Sequence, residues 1–313
     1  MDAGVASSPL HAGPGGPFTV AVASGKGGTG KTLVSANLAA WAAHSGRSVT
    51  LVDCDADAPN DHLFFKVAHV ETSVVEAPVS EIDPASCHAC GACRDACTRG
   101  ALRLLGTRVV VFEELCNGCG LCARVCPADA VRIVGRRVGV VTMSRALRHP
   151  GLQLVAGVLD IGQVKAPDVI RDAVAAAMHA PADLVLLDAP PGVACPVVAT
   201  VRAADALLFV TEPTPFGLHD LELALHLAAD TNVPATVVAN KVTNGTYDVE
   251  RLAAAHGISV VCSIPFDRRI AEAYAGGTLV SEYADAPAQW LEPIGTWIES
   301  VSAHGTRPAV VHR

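Results

Sequence analysis

Two groups of residues in this 313-residue chain have the types and spacing for chemistry. The first is sulfur. Of eleven cysteines, eight fall in two runs of four: Cys87, Cys90, Cys93 and Cys97, then Cys116, Cys119, Cys122 and Cys126. Each run reads C-x2-C-x2-C-x3-C. The second repeats the first 29 residues later, with Gly91 falling on Gly120 and the apolar tails also in step. Dense thiolates in a chain read as cytoplasmic point to metal rather than disulfides. The second group is a glycine-rich loop, SGKGGTGKT over 24–32, of the kind that surrounds phosphate.

The cysteine spacing discriminates between metals. Structural zinc sites pair two C-x2-C units around one ion. Three cysteines in C-x2-C-x2-C followed by x3-C is the two-cluster bacterial ferredoxin spacing, in which the fourth cysteine of each run serves the other cluster. One 4Fe-4S cluster is therefore expected on Cys87, Cys90, Cys93 and Cys126, and a second on Cys116, Cys119, Cys122 and Cys97. Cys126 precedes Pro127 as the pattern asks. Cys97 precedes Thr98, a departure that bears on solvent access near one cluster and removes no ligand. His88, inside the first run, reads as a solvated side chain.

The loop satisfies G-x-x-x-x-G-K-[ST] through Gly25, Gly30, Lys31 and Thr32. Glycines at 25, 27, 28 and 30 let backbone N–H groups, Thr29's included, turn inward around phosphates, and the following helix adds its dipole. Lys31 neutralises β/γ oxygens and the Thr32 hydroxyl ligates Mg²⁺. Only five lysines occur in the chain, and two of them, Lys26 and Lys31, lie in this loop.

Lys26, directly after the first glycine, makes the loop a deviant Walker A. It resembles that of MinD/ParA/Mrp-type P-loop ATPases, and the whole chain, over about 18–300, resembles members of that class carrying an inserted ferredoxin domain. TEPTPFGLHDL (211–221) and SIPFDRRIAEAYAGG (263–277) look like stretches of the same class. The resemblance implies ATP with Mg²⁺ as ligands and a nucleotide-sandwich dimer, a homodimer or a heterodimer with a related ATPase. In it Lys26 would reach the partner's phosphates. In VDCDADAPN (52–60) it implies Asp55 as the switch I acid that positions or activates the attacking water and belongs to the Mg²⁺ site, with Asp57 beside it as a holder of Mg²⁺-bound water or a solvated loop acid. In LLDAPPG (186–192) it implies Asp188 as the Walker B acid and Gly192 as a γ-phosphate sensor. Asn240-Lys241 falls where the class reads adenine, or is a plain strand exit. Cys195 lies where the nitrogenase iron protein has a bridging-cluster cysteine. With no second ligand in view, it reads as a buried residue at a helix start, and Cys54 and Cys262 read as packing residues after strands.

These residues need positioning elements. Short, wholly apolar runs at 18–23, 48–53, 183–188, 206–211 and 235–240 read as parallel strands buried on both faces. Helical patterns at 31–45, 168–180, 217–229 and 248–256 alternate with them, which implies a doubly wound, mostly parallel α/β sheet. The alternation breaks at about 78 and resumes after about 140. The expected organisation is a loose tail over 1–17, a discontinuous P-loop domain over 18–77 and 141–301, a ferredoxin-like insert over 78–140, and a tail over 302–313. Trp290, Ile294, Trp297, Ile298 and Val301 form an apolar helical stripe flanked by Glu292 and Glu299. A membrane-surface helix would be basic, so the stripe is expected to dock on the core.

Bulk numbers narrow the functions. Net charge is −8, which argues against general nucleic-acid binding. Residues 78–140 carry eight Arg and no Lys against six acids, near +2, leaving about −10 elsewhere. No apolar stretch is long enough to span a bilayer, and neither a leader nor membrane association is expected. The expected function is a cytoplasmic, Mg²⁺-dependent ATPase of low turnover coupling nucleotide state to electron transfer through the two clusters, with a redox or cofactor-acceptor protein as partner. An iron–sulfur or metal-cofactor assembly ATPase is one alternative. A MinD-like positioning ATPase with redox-sensing clusters is another.

Overall fold

In a computed structural model, residues 16–229, 231–243, 246–283, 286 and 288–303 are described. The expected tail over 1–17 lies almost wholly outside them, as does all but the start of that over 302–313. The chain divides into two compact units. The first holds residues up to Thr72, Val141–Val158 and Ile170 onward; the second holds Ser73–Val140 and Leu159–Val169. The insert had been expected over 78–140. The second unit starts earlier and includes an eleven-residue segment, Leu159–Val169, that runs from the last residue of the next strand into the first turn of the helix after it.

The first unit is built on a sheet. β1 (Phe18–Ala23), β2 (Val49–Asp53), β8 (Leu184–Asp188) and β9 (Ala206–Thr211) coincide with expected strands to within a residue. β2, β8 and β9 are buried at every position, which is why they read as unbroken apolar runs rather than alternations. β3 (Val67–Ile82) and β6 (Val131–Ala146) each run from one unit into the other, and β7 (Leu152–Leu159) follows β6. With β10 (Ala235–Val242) and β11 (Ser259–Pro265), the order is β11-β10-β9-β1-β8-β2-β7-β6-β3. From β11 to β7 every neighbouring pair is parallel. β6 and β7, neighbours joined by five residues, form a hairpin.

Helices cover the sheet: α1 (Lys31–His44), α4 (Ala166–His179), α5 (Cys195–Arg202), α6 (Pro215–Ala229), α7 (Tyr247–Ala255), α8 (Arg268–Ala275) and α9 (Leu291–Ala303). The terminal stripe docks as expected. Leu291, Ile294 and Ile298 are buried with Trp290 in the main core, Trp297 and Val301 pack against it, and Glu292 and Glu299 stay exposed. Gly295 lets α9 close on α1: a Cβ there would stand 2.0 Å from the Trp41 ring. Among the described residues no helix is long and apolar enough to cross a membrane.

The second unit contains α2 (Ala92–Ala96), the hairpin β4 (Leu102–Leu105) and β5 (Arg108–Val111), and α3 (Leu121–Arg124). The sequence repeat is also a repeat of backbone. Left-handed residues occur in pairs 29 apart: Ala89 and Gly118, Gly91 and Gly120, Gly100 and Asp129. Gly91 and Gly120 each open the short helix that carries the third cysteine of a run. Ala89 and Asp129 accept a conformation that strains a side-chain-bearing residue. The turn geometry is therefore retained where the glycine is not.

Candidate functional site

The phosphate loop joins β1 to α1. Gly28 and Gly30 have φ of +79° and +99°. A Cβ on Gly30 would stand 2.2 Å from Asn240 Nδ2, and one on Gly25 would stand 2.0 Å from the backbone oxygen of Asp220. The loop thus tolerates no side chain at either position. Lys31 is buried; burial pushes its ammonium down, while Asp188 and Asp55 pull it back up. Thr32 Oγ1 donates to Asp188 Oδ2 at 2.6 Å.

Asp188 ends β8, in register with Asp53 at the end of β2. Asp53 Oδ1 accepts the Asp55 amide, and Oδ2 accepts those of Asn60 and Asp61 at 2.6 and 3.0 Å. It thereby shapes the turn that presents Asp55. Burial raises Asp53 to about 6 despite these three bonds, and raises Asp188 to about 7, helped by the Asp53 charge and opposed by Thr32 and Lys31. Asp61 is pushed well up, first by burial and then by Asp188, Asp53 and Asp55. Both its oxygens are buried without a partner, as is Asp188 Oδ1. Asp55 is raised by burial, with Lys31 opposing; Asp57 is exposed.

A cluster of buried acids with orphaned oxygens beside one lysine and one hydroxyl is short of positive charge. It fits a divalent cation, which Thr32 and Asp188 would hold. The adjoining cavity, about 390 Å³, is lined by Gly27, Gly28, Gly30, Lys31 and Thr32 of the loop and by Pro265, Phe266, Ile270 and Tyr274. Phosphate-binding backbone together with apolar, aromatic surface suits a nucleotide.

Asn240 lines this cavity, but its polar atoms are engaged within the protein. Nδ2 donates to Thr29 O at 2.7 Å and Oδ1 accepts the Lys241 amide at 2.8 Å. Lys241 Nζ reaches Gly28 O and Glu212 Oε1, and Lys26 Nζ lies 3.6 Å from Glu212 Oε2. Gly192 has φ of +94° after β8. Cys195 opens α5 as expected, but it is exposed, not buried: the loop before it lies at the surface. Cys54 is fully buried; Cys262 lies within β11, not after it.

In the second unit none of the eight cysteines forms a disulfide. Cys93, Cys116 and Cys122 are buried, while Cys90 and Cys119, at the same place in each run, are exposed, as is His88. Cys97 and Cys126 both pack against the group formed by Cys93, Leu102, Cys122 and Val131, and Cys97 also packs against that of Cys116 with Val79 and Ala101. Burial raises the Cys93 thiol, opposed by its own and Arg94's amides, with Cys122 and Cys126 adding to the rise. Cys87 Sγ accepts the Ala89 amide, and Cys126 Sγ that of Ala130. Burial pushes Cys116 up, but the Gly118 amide, Ser80 and Lys165 outweigh it and hold the thiol below its ordinary value. Among the described residues no three or more His, Cys, Asp or Glu side chains are grouped as ligands of a single ion. A 4Fe-4S cube binds one thiolate per iron, so its four sulfurs stand further apart than around one ion. The amide donors to sulfur, the buried third cysteines and the interleaved fourth ones fit such a group.

The model of the CobQ/CobB/MinD/ParA nucleotide binding domain matches residues 20–280. The chain belongs to this family. An uncharacterized protein of Methanocaldococcus jannaschii, MJ0578, is 32% identical over 265 residues, covering 84% of this chain and 90% of its own length. A second, MJ0579 of the same organism, is 27% identical over 286 residues, covering 89% and 97%. Among solved structures, the septum site-determining protein MinD of Pyrococcus horikoshii, complexed with Mg-ADP, aligns with a TM-score of 0.56 at 18% identity, covering 93% of this chain and 100% of its own. The MinC:MinD complex of Aquifex aeolicus gives 0.52 at 19% identity, covering 95% and 98%. Those likenesses establish the MinD fold. Family membership and the cavity together make this an ATP-binding protein of the MinD/ParA ATPase type.

Within the family site, sequence reasoning missed Asp53, Asp61 and Glu212. Asp53 carried a usable signal: it is the last residue of a buried strand, two before Asp55. Glu212 directly follows a strand end in the same way. Ser80 and Lys165, which contact Cys116 and, for Ser80, Cys122, carried none, lying far in sequence from those cysteines.

Proposed function

We propose that this chain is a Mg²⁺-dependent ATPase whose nucleotide state is coupled to one-electron transfer. Lys31 and the loop amides would hold the β/γ phosphates, Thr32 and Asp188 the metal, and Asp55 would orient the attacking water, with Asp57 a further holder of metal-bound water. Lys26 would act across a dimer. Cys87, Cys90, Cys93 and Cys126 would hold one 4Fe-4S cluster, and Cys116, Cys119, Cys122 and Cys97 the other. Bound clusters of this kind store and pass single electrons.

The carrying observation is the second unit's double repeat: eight cysteines, none in a disulfide, on two copies of one backbone conformation, left-handed at three matched positions. Coupling draws support from chain continuity. β3 leaves the first unit soon after the Asp55 turn, and β6 returns to it before Asp188. A nucleotide-driven shift of either turn bears on strands continuous with the cysteine-bearing segment.

The comparisons concern the nucleotide-binding fold and, taken alone, favour a MinD-like positioning ATPase, since the solved neighbours named above are septum-site and cell-division proteins. That second reading gives the cysteines a structural or sensing part. The assembly-factor alternative predicts labile clusters, against which crossed ligation counts. The rate of electron transfer from the reduced, anaerobically prepared protein to a one-electron acceptor, with Mg-ATP and without nucleotide, decides the main question. A nucleotide-dependent rate supports coupling. An unchanged rate, in protein that binds ATP and carries iron, hands the case to the positioning reading.

A further inference from the structure

Resting on the iron–sulfur reading above, we propose that Ser80 and Lys165 make Cys116, Cys119, Cys122 and Cys97 the electron-accepting ligand set of the pair. The cluster they hold is the one of higher potential.

The two runs are matched in backbone and in amide donors at their first cysteine: Ala89 N–H to Cys87 Sγ, and Gly118 N–H to Cys116 Sγ. Amides also reach Cys93 (its own and Arg94's) and Cys126 (Ala130's) in one ligand set and Cys116 (Ser80's) in the other, so backbone donors do not set the two apart. They differ in side chains. Ser80, 3% exposed on β3, places its hydroxyl 3.0 Å from Cys122 Sγ and 3.6 Å from Cys116 Sγ. Once those sulfurs are thiolates, the hydroxyl is the donor. Among the described residues no side-chain hydroxyl or ammonium does the same for Cys87, Cys90, Cys93 or Cys126.

Lys165 is the only lysine in the second unit, and it is 9% exposed. Its ammonium donates to the Cys116 carbonyl oxygen. No carboxylate among the described residues pairs with it. A buried cation without a counter-charge is costly, and chains rarely keep one without use. A thiolate-ligated cluster is anionic and becomes more so by one charge on reduction. Such a cluster beside Cys116 supplies the missing anion, and Lys165 stabilises its reduced form more than its oxidised form. Hydrogen bonds to sulfur act in the same direction. Reduction here adds one electron and breaks no bond to the protein.

The test is a mediated electrode titration of the full chain, prepared anaerobically and followed by electron paramagnetic resonance. Wild-type protein should take two electrons in separate steps. Lys165→Met and the milder Ser80→Ala should lower the higher step and leave the lower one in place. The electron's partition between the clusters should change by about tenfold in Lys165→Met, which is about 59 mV for a one-electron couple. Lys165→Arg should restore the wild-type value. Cys119→Ser should alter the spectrum of the higher step and Cys90→Ser that of the lower. If the lower step moves instead, or neither moves while iron content is unchanged, the assignment of Ser80 and Lys165 is wrong although the clusters are present. If no variant, wild type included, carries iron, the iron–sulfur reading itself has failed.

Discussion

Glu212 holds two lysines of the phosphate loop region at once. Its Oε2 lies 3.6 Å from Lys26 Nζ and its Oε1 lies 2.6 Å from Lys241 Nζ. Lys26 is thus tethered within its own chain, at a partly exposed pair whose hold is on the order of 1 kcal/mol or less. So weak a tether would not keep Lys26 from a partner's phosphates in the proposed dimer. Lys26→Ala should leave ATP affinity of the monomer within about threefold while cutting turnover by roughly 100-fold, the signature of an interaction made only in the assembled transition state. Equilibrium nucleotide binding beside steady-state hydrolysis checks this; equal losses in both would remove the trans role.

The Thr32–Asp188 hydrogen bond occupies positions that a metal would claim. Asp188→Asn should weaken Mg²⁺ dependence of nucleotide binding by roughly 10- to 100-fold, the range seen when a metal's supporting groups are lost. Titrating Mg²⁺ at fixed ADP, with fluorescence of a labelled nucleotide as readout, measures it. An unchanged Mg²⁺ midpoint would place the metal elsewhere.

Asp53, Asp61 and Asp188 all sit above the usual carboxylate range, chiefly through burial, Asp53 to about 6 and Asp188 to about 7. The folded state therefore binds more protons than the unfolded chain between about pH 4 and 7. These acids favour the fold below that window, and the contribution is lost as pH rises through 6 to 7. Asp61→Asn should make metal-free thermal stability fall less steeply from pH 5 to 7.5 than in wild type. Mg-ADP should flatten the wild-type slope as well, because the cation supplies the missing charge. A steeper slope in the variant contradicts this account.

Gly295 faces the Trp41 ring with no room for a methyl group. Gly295→Ala should destabilise the first unit by about 1–3 kcal/mol, the usual cost of overpacking. Thermal denaturation reads it directly. A loss near zero would mean that α9 docks more loosely than its burial indicates.

Much of this was legible in the chain because burial writes itself into composition. β2, β8 and β9 are apolar at nearly every position because both faces are covered, and the phosphate loop needs residue types that few other structures require. The terminal stripe was readable from its acids. β3 and β6 were not. Their residues are largely exposed or half-buried, so no apolar period marks them, and the second unit begins at Ser73, ahead of the break that the sequence shows at about 78. β7 (LQLVAGVL) carries an apolar run as strong as those of the central strands and was legible, whereas β11 (SVVCSIP) is broken by Ser259 and Ser263. The Leu159–Val169 segment joined the cysteine-bearing unit without any local signal, bringing Lys165 with it. Cys195 was misjudged because a helix start can lie buried or exposed, and only the loop before it decides which.

Iron, acid-labile sulfide and zinc per chain in anaerobically purified, nucleotide-binding protein test the central claim most directly. About eight iron and eight sulfide per chain, with negligible zinc, is the result expected of two cubes on eight cysteines. Four irons or fewer, or zinc in their place, would contradict it.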